Sequence, residues 1–267
     1  SGGGAFILAY FVLLLVLAIP GLIAEVGFGR YAGQGVIGAF RKVATTRGMV
    51  GLGVVVLVVN VALMSYYSPV VGWTLYYAVH SLLGTFTASG FEPAPFWEAF
   101  RASAALTIGT HTAVMVLVGA VLYLGIRRGV ERLVIYAVPG LVLALVAITI
   151  RALTLEGAAD GLAFTFGVDW SKLALGQTWI TALGQVLFSA GLGWGIALTV
   201  GSYLPDYDDI PMGGGVFTVI GNSSVGILAA FAIFPIVFAF DLDPASGASL
   251  TFVSLPQVFP QMTGGVF

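Results

Sequence analysis

Long apolar stretches separated by short polar clusters run through the chain, and their lengths predict six helical crossings of a bilayer. The first covers residues 5–28, apolar except for Tyr10 and Glu25, and Gly29-Arg30-Tyr31 closes it. The second, 49–82, exceeds one upright crossing and is expected to tilt or protrude; its polar positions are Asn60, Ser65, Tyr66, Tyr67 and Ser68, followed by Pro69. Residues 102–125 and 133–153 form the third and fourth, the latter with Pro139, which a membrane helix tolerates when neighbours satisfy the freed carbonyl. The fifth spans 179–203 and the sixth 212–240; residues 83–101 and 156–176 read as loops. Beyond Asp241-Leu242-Asp243-Pro244 the tail mixes Phe252, Val253, Leu255 and Val258 with Pro256, Pro260 and paired glycines. It is too punctuated to span and predicts an outer re-entrant segment or surface hairpin.

The fifth span breaks its own pattern. It holds Gly191, Gly193 and Gly195 in alternation and the polar side chains of Gln185 and Ser189. Irregular backbone survives at membrane depth only where protein buries it or where it lines a cavity, because unpaired N–H and C=O groups are costly in hydrocarbon. The stretch is therefore a candidate site, with Ser189 and nearby carbonyls suited to a hard cation such as sodium; a small-residue packing face is the other reading. Asn222-Ser223-Ser224 in the sixth span offers an amide that either joins Ser189 on an ion or makes an interhelical hydrogen bond. Glu25 is the only carboxylate deep in a span, and an acceptor role for amides freed by the break is favoured over a proton relay. Tyr66-Tyr67, Phe188 and Trp194 either wall a pocket or fill core. His80 and His111 are isolated and read as structural.

Composition narrows the class. Of 267 residues, 59% are hydrophobic and 8% charged, with a mean hydropathy of +1.04, against roughly a quarter charged in a soluble domain. The spans lack the strict alternation of barrel strands, so the chain is an all-α, polytopic integral membrane protein. No cysteine is present, which removes disulfides and thiolate sites. A net charge of -2 argues against a nucleic-acid partner, and no carboxylate pair, metal cluster or nucleophile–base spacing suggests an enzyme. Arg30, Arg41, Lys42, Arg47, Arg127, Arg128 and Arg132 fall on one side of the predicted topology, and Arg101, Arg151 and Lys172 on the other. The positive-inside rule makes the richer side cytoplasmic; the acidic turn Asp206-Tyr207-Asp208-Asp209 is the one anomaly there. Ser1 in place of methionine, with no charged leader, and an abrupt end at Phe267 suggest a fragment without a signal peptide.

These residues resemble the neurotransmitter:sodium symporter family, of the leucine-transporter fold. Gly2-Gly3-Gly4-Ala5-Phe6 with Tyr10, Glu25 and Gly29-Arg30-Tyr31 is similar to that family's second transmembrane helix, and Tyr66-Tyr67 with Trp73 to its third. Gly129-Val130-Glu131-Arg132 with Pro139 resembles the turn from the fourth helix to the fifth, and Ala158-Ala159-Asp160-Gly161-Leu162 the third outer loop. The interrupted span matches the unwound sixth helix, and Leu255-Pro256 to Gly264-Gly265 the fourth outer loop. The resemblance implies an incomplete helical bundle of about six membrane helices, the family's second to seventh, within a multi-pass protein of the plasma membrane. It implies sodium-coupled symport of an amino acid or related small zwitterion by the full-length parent, with a non-transporting scaffold of the same fold as the alternative, and no transport by this piece alone.

Carried over by residue, the resemblance implies that Tyr67 binds the substrate carboxylate and that Leu63, Phe188, Gly191 and Trp194 line its pocket. Ser189 and Asn222 would ligate sodium, Tyr203 would belong to an inner gate, and Glu25 would support the broken helices. Tyr10, Gln185, Ser189 and Asn222 match four positions around chloride in chloride-dependent relatives; the fifth falls on Gly226, so chloride use stays open, as do substrate identity, a second sodium site and oligomeric state.

Overall fold

Hydrocarbon offers the backbone no hydrogen-bond partners, so the apolar stretches pair their own amides and carbonyls as helices. The computed structural model describes residues 3–261. Among these no strand forms; one isolated bridge joins Gly3 to Val168. In chain order the helices are α1 (Gly4–Ala32), α2 (Val36–Val43), α3 (Arg47–Leu82), α4 (Pro93–Ala102), α5 (Ala104–Tyr123) and α6 (Ile126–Leu153). They continue as α7 (Ala158–Phe166), α8 (Trp170–Leu173), α9 (Gly176–Ala190), α10 (Ile196–Gly201), α11 (Ile210–Ala239) and α12 (Leu255–Val258).

Helices α1, α3, α5, α6 and α11 are each long and apolar enough to cross a membrane. The sixth predicted crossing is the interrupted one, divided into α9 with 15 residues and α10 with 6, each too short alone.

Several segments expected as loops are helical. The stretch 83–101 contains α4, which begins at Pro93, where the missing N–H costs nothing, and buries Trp97 and Phe100. The stretch 156–176 contains α7 and α8, and the basic turn after the first span contains α2. The second basic segment opens α6 as a π-helical turn, Ile126–Glu131. The tail is π-helical at Leu250–Ser254 and α-helical at Leu255–Val258, and buries Phe252, Leu255, Pro256 and Val258. The expectations for Gly2 and for Gly264-Gly265 lie outside the described residues.

The described residues form two units. Unit one comprises 3–62 and 162–231, and unit two 63–161 and 232–261.

In unit one, Leu14, Ala18 and Leu22 of α1 pack with Val186 of α9 and Val219 of α11. Helices α1 and α10 approach so closely that a Cβ on Gly29 would strike the Leu198 carbonyl, and one on Gly201 the Val26 carbonyl. Small residues are what permit such backbone contact in a membrane. Helix α1 widens into a π turn at Leu14–Ala18 immediately before Pro20. The widened turn relieves the crowding a proline ring imposes on the preceding turn. At its start, the Gly4 amide donates to the Gly167 carbonyl at 3.0 Å, which ties α1 to the segment after α7.

Unit two is organised by rings. Tyr77, Trp97, Phe100 and Phe252 form a buried cluster in which Trp97 and Phe252 stack at 4.9 Å. The Tyr77 hydroxyl donates to the Phe252 carbonyl at 2.6 Å, fixing the tail segment to α3. A second core joins Ala152, Ile236, Leu255 and Val258.

Candidate functional site

Helix α9 stops because glycines at alternate positions take left-handed backbone: φ is 67° at Gly191, 82° at Gly193 and 73° at Gly195. The Gly191 amide donates to the Phe188 carbonyl at 3.2 Å and the Leu192 amide to that of Leu187 at 3.1 Å, a pair of bonds that closes the helix. Helix α10 restarts at Ile196.

The amides inside the break find one acceptor. Gly193 donates to Glu25 Oε2 and Gly195 to Glu25 Oε1, both at 2.9 Å. A carboxylate has two oxygens to offer, and charge makes each bond roughly twice as strong as a neutral one. Glu25 is thus the side chain of α1 that takes up the amides freed by the break.

On the α9 side of the break a polar cluster joins three helices. The Tyr10 hydroxyl of α1 lies 3.0 Å from Ser189 Oγ and 3.0 Å from Ser223 Oγ of α11. Asn222 of α11 donates its amide to the Ser189 carbonyl at 3.1 Å and to Ser189 Oγ at 2.6 Å. Linked hydrogen bonds of this kind reinforce one another in a low-dielectric setting. Gln185 is exposed on α9 and stands outside the cluster. Ser223 went unassigned in the sequence, because helical phase on α11 cannot reveal a partner on α1.

Beside the break, Trp194 and Phe188 meet edge to face, with ring centres 6.1 Å apart. The Trp194 indole N–H donates to the Leu187 carbonyl at 3.3 Å. A cavity of about 700 Å³ adjoins the break in unit one, bounded by Leu22, Val26, Gly191, Ile196, Phe217 and Asp208 among others.

Past α10, Tyr203 is exposed. Arg30 Nη1 donates to the carbonyls of Asp208 at 2.8 Å, Pro205 at 3.3 Å and Asp206 at 3.5 Å. The acidic turn is therefore held through its main chain, while Asp209 accepts from the Met212 amide at 3.0 Å and caps α11.

In unit two, Leu63 and Tyr67 lie on α3, Leu63 half-buried and Tyr67 exposed, with the rings of Tyr66 and Tyr67 edge to face at 5.9 Å. His80 Nδ1 bonds Thr85 Oγ1 at 2.9 Å and its ring packs on Tyr76, a structural setting. Among the described residues no group of three His, Cys, Asp or Glu is placed to hold a metal ion. A cation at the break would be met by hydroxyl, amide and carbonyl oxygens, the donor set that hard cations take.

A many-spanning helical protein with one discontinuous helix, its open ends held by a carboxylate and flanked by hydroxyls, has the architecture of a secondary transporter. The chain belongs to the sodium:neurotransmitter symporter family, which it matches over residues 1–90 and 101–265. It is 33% identical over its whole length to an uncharacterized sodium-dependent transporter of Haemophilus influenzae, covering 60% of that protein. It is 32% identical to an uncharacterized sodium-dependent transporter of Bacillus subtilis, over 99% of this chain and 58% of that one. The crystal structure of MhsT in complex with L-phenylalanine matches with a TM-score of 0.91 at 32% identity, over 99% of this chain and 60% of MhsT. The chain thus spans about 60% of the length of these relatives. The fold is the all-α, multi-pass leucine-transporter fold expected from the sequence, and the family is one of sodium-dependent secondary transporters, not enzymes.

Proposed function

We propose that this chain is part of a sodium-coupled symporter that carries an amino acid or related small zwitterion across the plasma membrane by alternating access. The observation that carries this reading is the break between α9 and α10. There Glu25 binds the two freed amides, leaving Ser189, Asn222 and the surrounding carbonyls to meet an ion. The likeness to MhsT, solved with L-phenylalanine, supports an amino acid as cargo.

Sodium enters as a second cargo. Ser189 Oγ now accepts from the Asn222 amide; a half-turn of that amide exchanges its NH2 for Oδ1 and sets two oxygens toward one cation. Sodium then replaces a bond that links α9 to α11, so its binding biases the break toward one of its states. Tyr67 binds the substrate carboxylate, Leu63, Phe188, Gly191 and Trp194 line its side-chain pocket, and Tyr203 belongs to the inner gate. Tyr10, Ser189 and Asn222, with Ser223 added, are the side chains an anion would meet; exchanging chloride for gluconate at fixed sodium tests that role.

The test is sodium-dependent binding of radiolabelled amino acids to the full-length parent. Ser189→Ala and Asn222→Ala should each raise the sodium concentration needed for half-maximal binding by about tenfold, the loss of one ligand bond near 1.4 kcal/mol. Binding indifferent to sodium and to both substitutions sinks the reading. Binding without uptake into vesicles favours a non-transporting relative of the same fold.

A further inference from the structure

We infer that Asn60 is a positioning residue that fixes the Trp194 indole and thereby sets the largest substrate side chain the pocket admits; this rests on the transporter reading above.

Asn60 sits within α3, where an amide at membrane depth needs a reason. Its Nδ2 donates to the Val56 carbonyl one turn back at 2.8 Å and to the Trp194 carbonyl at 2.5 Å. The Val56 bond is local to the helix. The Trp194 bond answers a specific vacancy in the backbone pairing: the ladder of α10 starts with the Gly195 carbonyl, which takes the Thr199 amide at 3.0 Å, so the carbonyl before it lies outside the helix. Asn60 supplies the donor that this carbonyl lacks.

The main chain around Trp194 is consequently gripped from two sides. Glu25 of α1 takes the amides of Gly193 and Gly195, and Asn60 of α3 takes the carbonyl between them. On the side-chain end, the indole N–H is tied to the Leu187 carbonyl at 3.3 Å and the ring abuts Phe188. Gly195 itself lies close against Val36 of α2 and Val56 of α3, where an added Cβ would press on both. With backbone and ring both fixed, the large indole becomes a rigid wall. Rigid walls discriminate by size, whereas a wall that can retreat admits larger ligands.

Asn60→Asp keeps the shape and removes the donor, placing a carboxylate against a carbonyl. In the full-length protein it should raise the ratio of phenylalanine to alanine affinity, measured by competition for sodium-dependent binding, about tenfold. Asn60→Ala, which leaves a small residue in a membrane helix, makes the same prediction where Asn60→Asp fails to reach the membrane. Asn60→Gln, which retains the amide, should lie between wild type and Asn60→Asp. In a Trp194→Ala background, where no indole remains to be held, Asn60→Asp should leave the ratio unchanged; a purely structural role for Asn60 would lower both affinities together in either background.

The hold is also read without substrate. With Trp194 as the sole tryptophan and the others replaced by phenylalanine, Asn60→Asp should increase acrylamide quenching and shift the emission to the red. Unchanged quenching overturns the proposal, and so does raised quenching with an unchanged size ratio. Absence of sodium-dependent binding in the unmutated protein counts against the transporter reading, and quenching then decides the Asn60 contact by itself.

Discussion

The carboxylate of Glu25 illustrates how one side chain stabilises an irregular backbone in a membrane. Two amides that a continuous helix would have paired are instead bound by one anion at 2.9 Å each. Glu25→Gln keeps the length but offers one oxygen and an NH2 group, so one amide faces a donor and goes unpaired, at a cost of about 2 kcal/mol. A lower thermal unfolding temperature of the detergent-solubilised parent, with sodium-dependent binding lost before folding is, is the expected result. Glu25→Asp should be intermediate, since both oxygens remain but reach less far. The candidate value of Glu25, Ser189 and Asn222 was legible in the sequence because polar groups in apolar spans stand out. Their partners were less so: Tyr10 meets Ser189 and Ser223 at sequence separations of 179 and 213, a pairing no local pattern encodes.

Among the helices, close approach and anchoring both depend on small or charged residues at element ends. Gly29 and Gly201 let α1 and α10 touch backbone to backbone. Gly201→Leu should push them apart and lower stability by about 3 kcal/mol, the upper range for overpacking, read as earlier aggregation on heating in fluorescence-detected size exclusion. Substitution at Gly27, where added volume meets nothing within 4 Å, is the matched control. Arg30 grips the turn after α10 through three carbonyls. All three bonds leave one nitrogen, so Arg30→Ala should speed proteolysis within 202–209 in inside-out vesicles, while Arg30→Lys, whose ammonium carries three donors on a flexible stem, should keep part of the hold. Equal cleavage rates in all three proteins would remove Arg30 from this role. The elements themselves were legible where apolar runs were long. The short helices α2, α4, α7 and α8 were not, because their lengths fall below the span signal and their faces are decided by what they cover, as Trp97 and Phe100 of α4 show.

For the molecule as a whole, the distribution of basic residues predicts an orientation, since membrane topology depends on insertion rather than on packing. The chain has no cysteine, which makes single-cysteine labelling direct in a cysteine-free parent. Arg128→Cys and Asp208→Cys should react with a membrane-impermeant maleimide only from the cytoplasmic side, and Glu156→Cys only from outside. Labelling of Asp208→Cys from outside would reverse the assignment of the acidic turn and with it the direction in which α9 and α10 descend.

The sequence by itself determined the solvent, the helical class, the number and place of the long spans, and the site of the break. These follow from composition and from glycine's freedom at positive φ, which are local properties. The sequence favoured Glu25 as acceptor for freed amides; only the tertiary structure decided that those are Gly193 and Gly195, that Asn60 takes the carbonyl between them, and that Tyr10 links Ser189 to Ser223. Each of those bonds joins residues far apart in the chain, and their geometry depends on how α1, α3, α9 and α11 pack. A one-dimensional pattern records that a polar group needs a partner at that depth; packing chooses which one it finds.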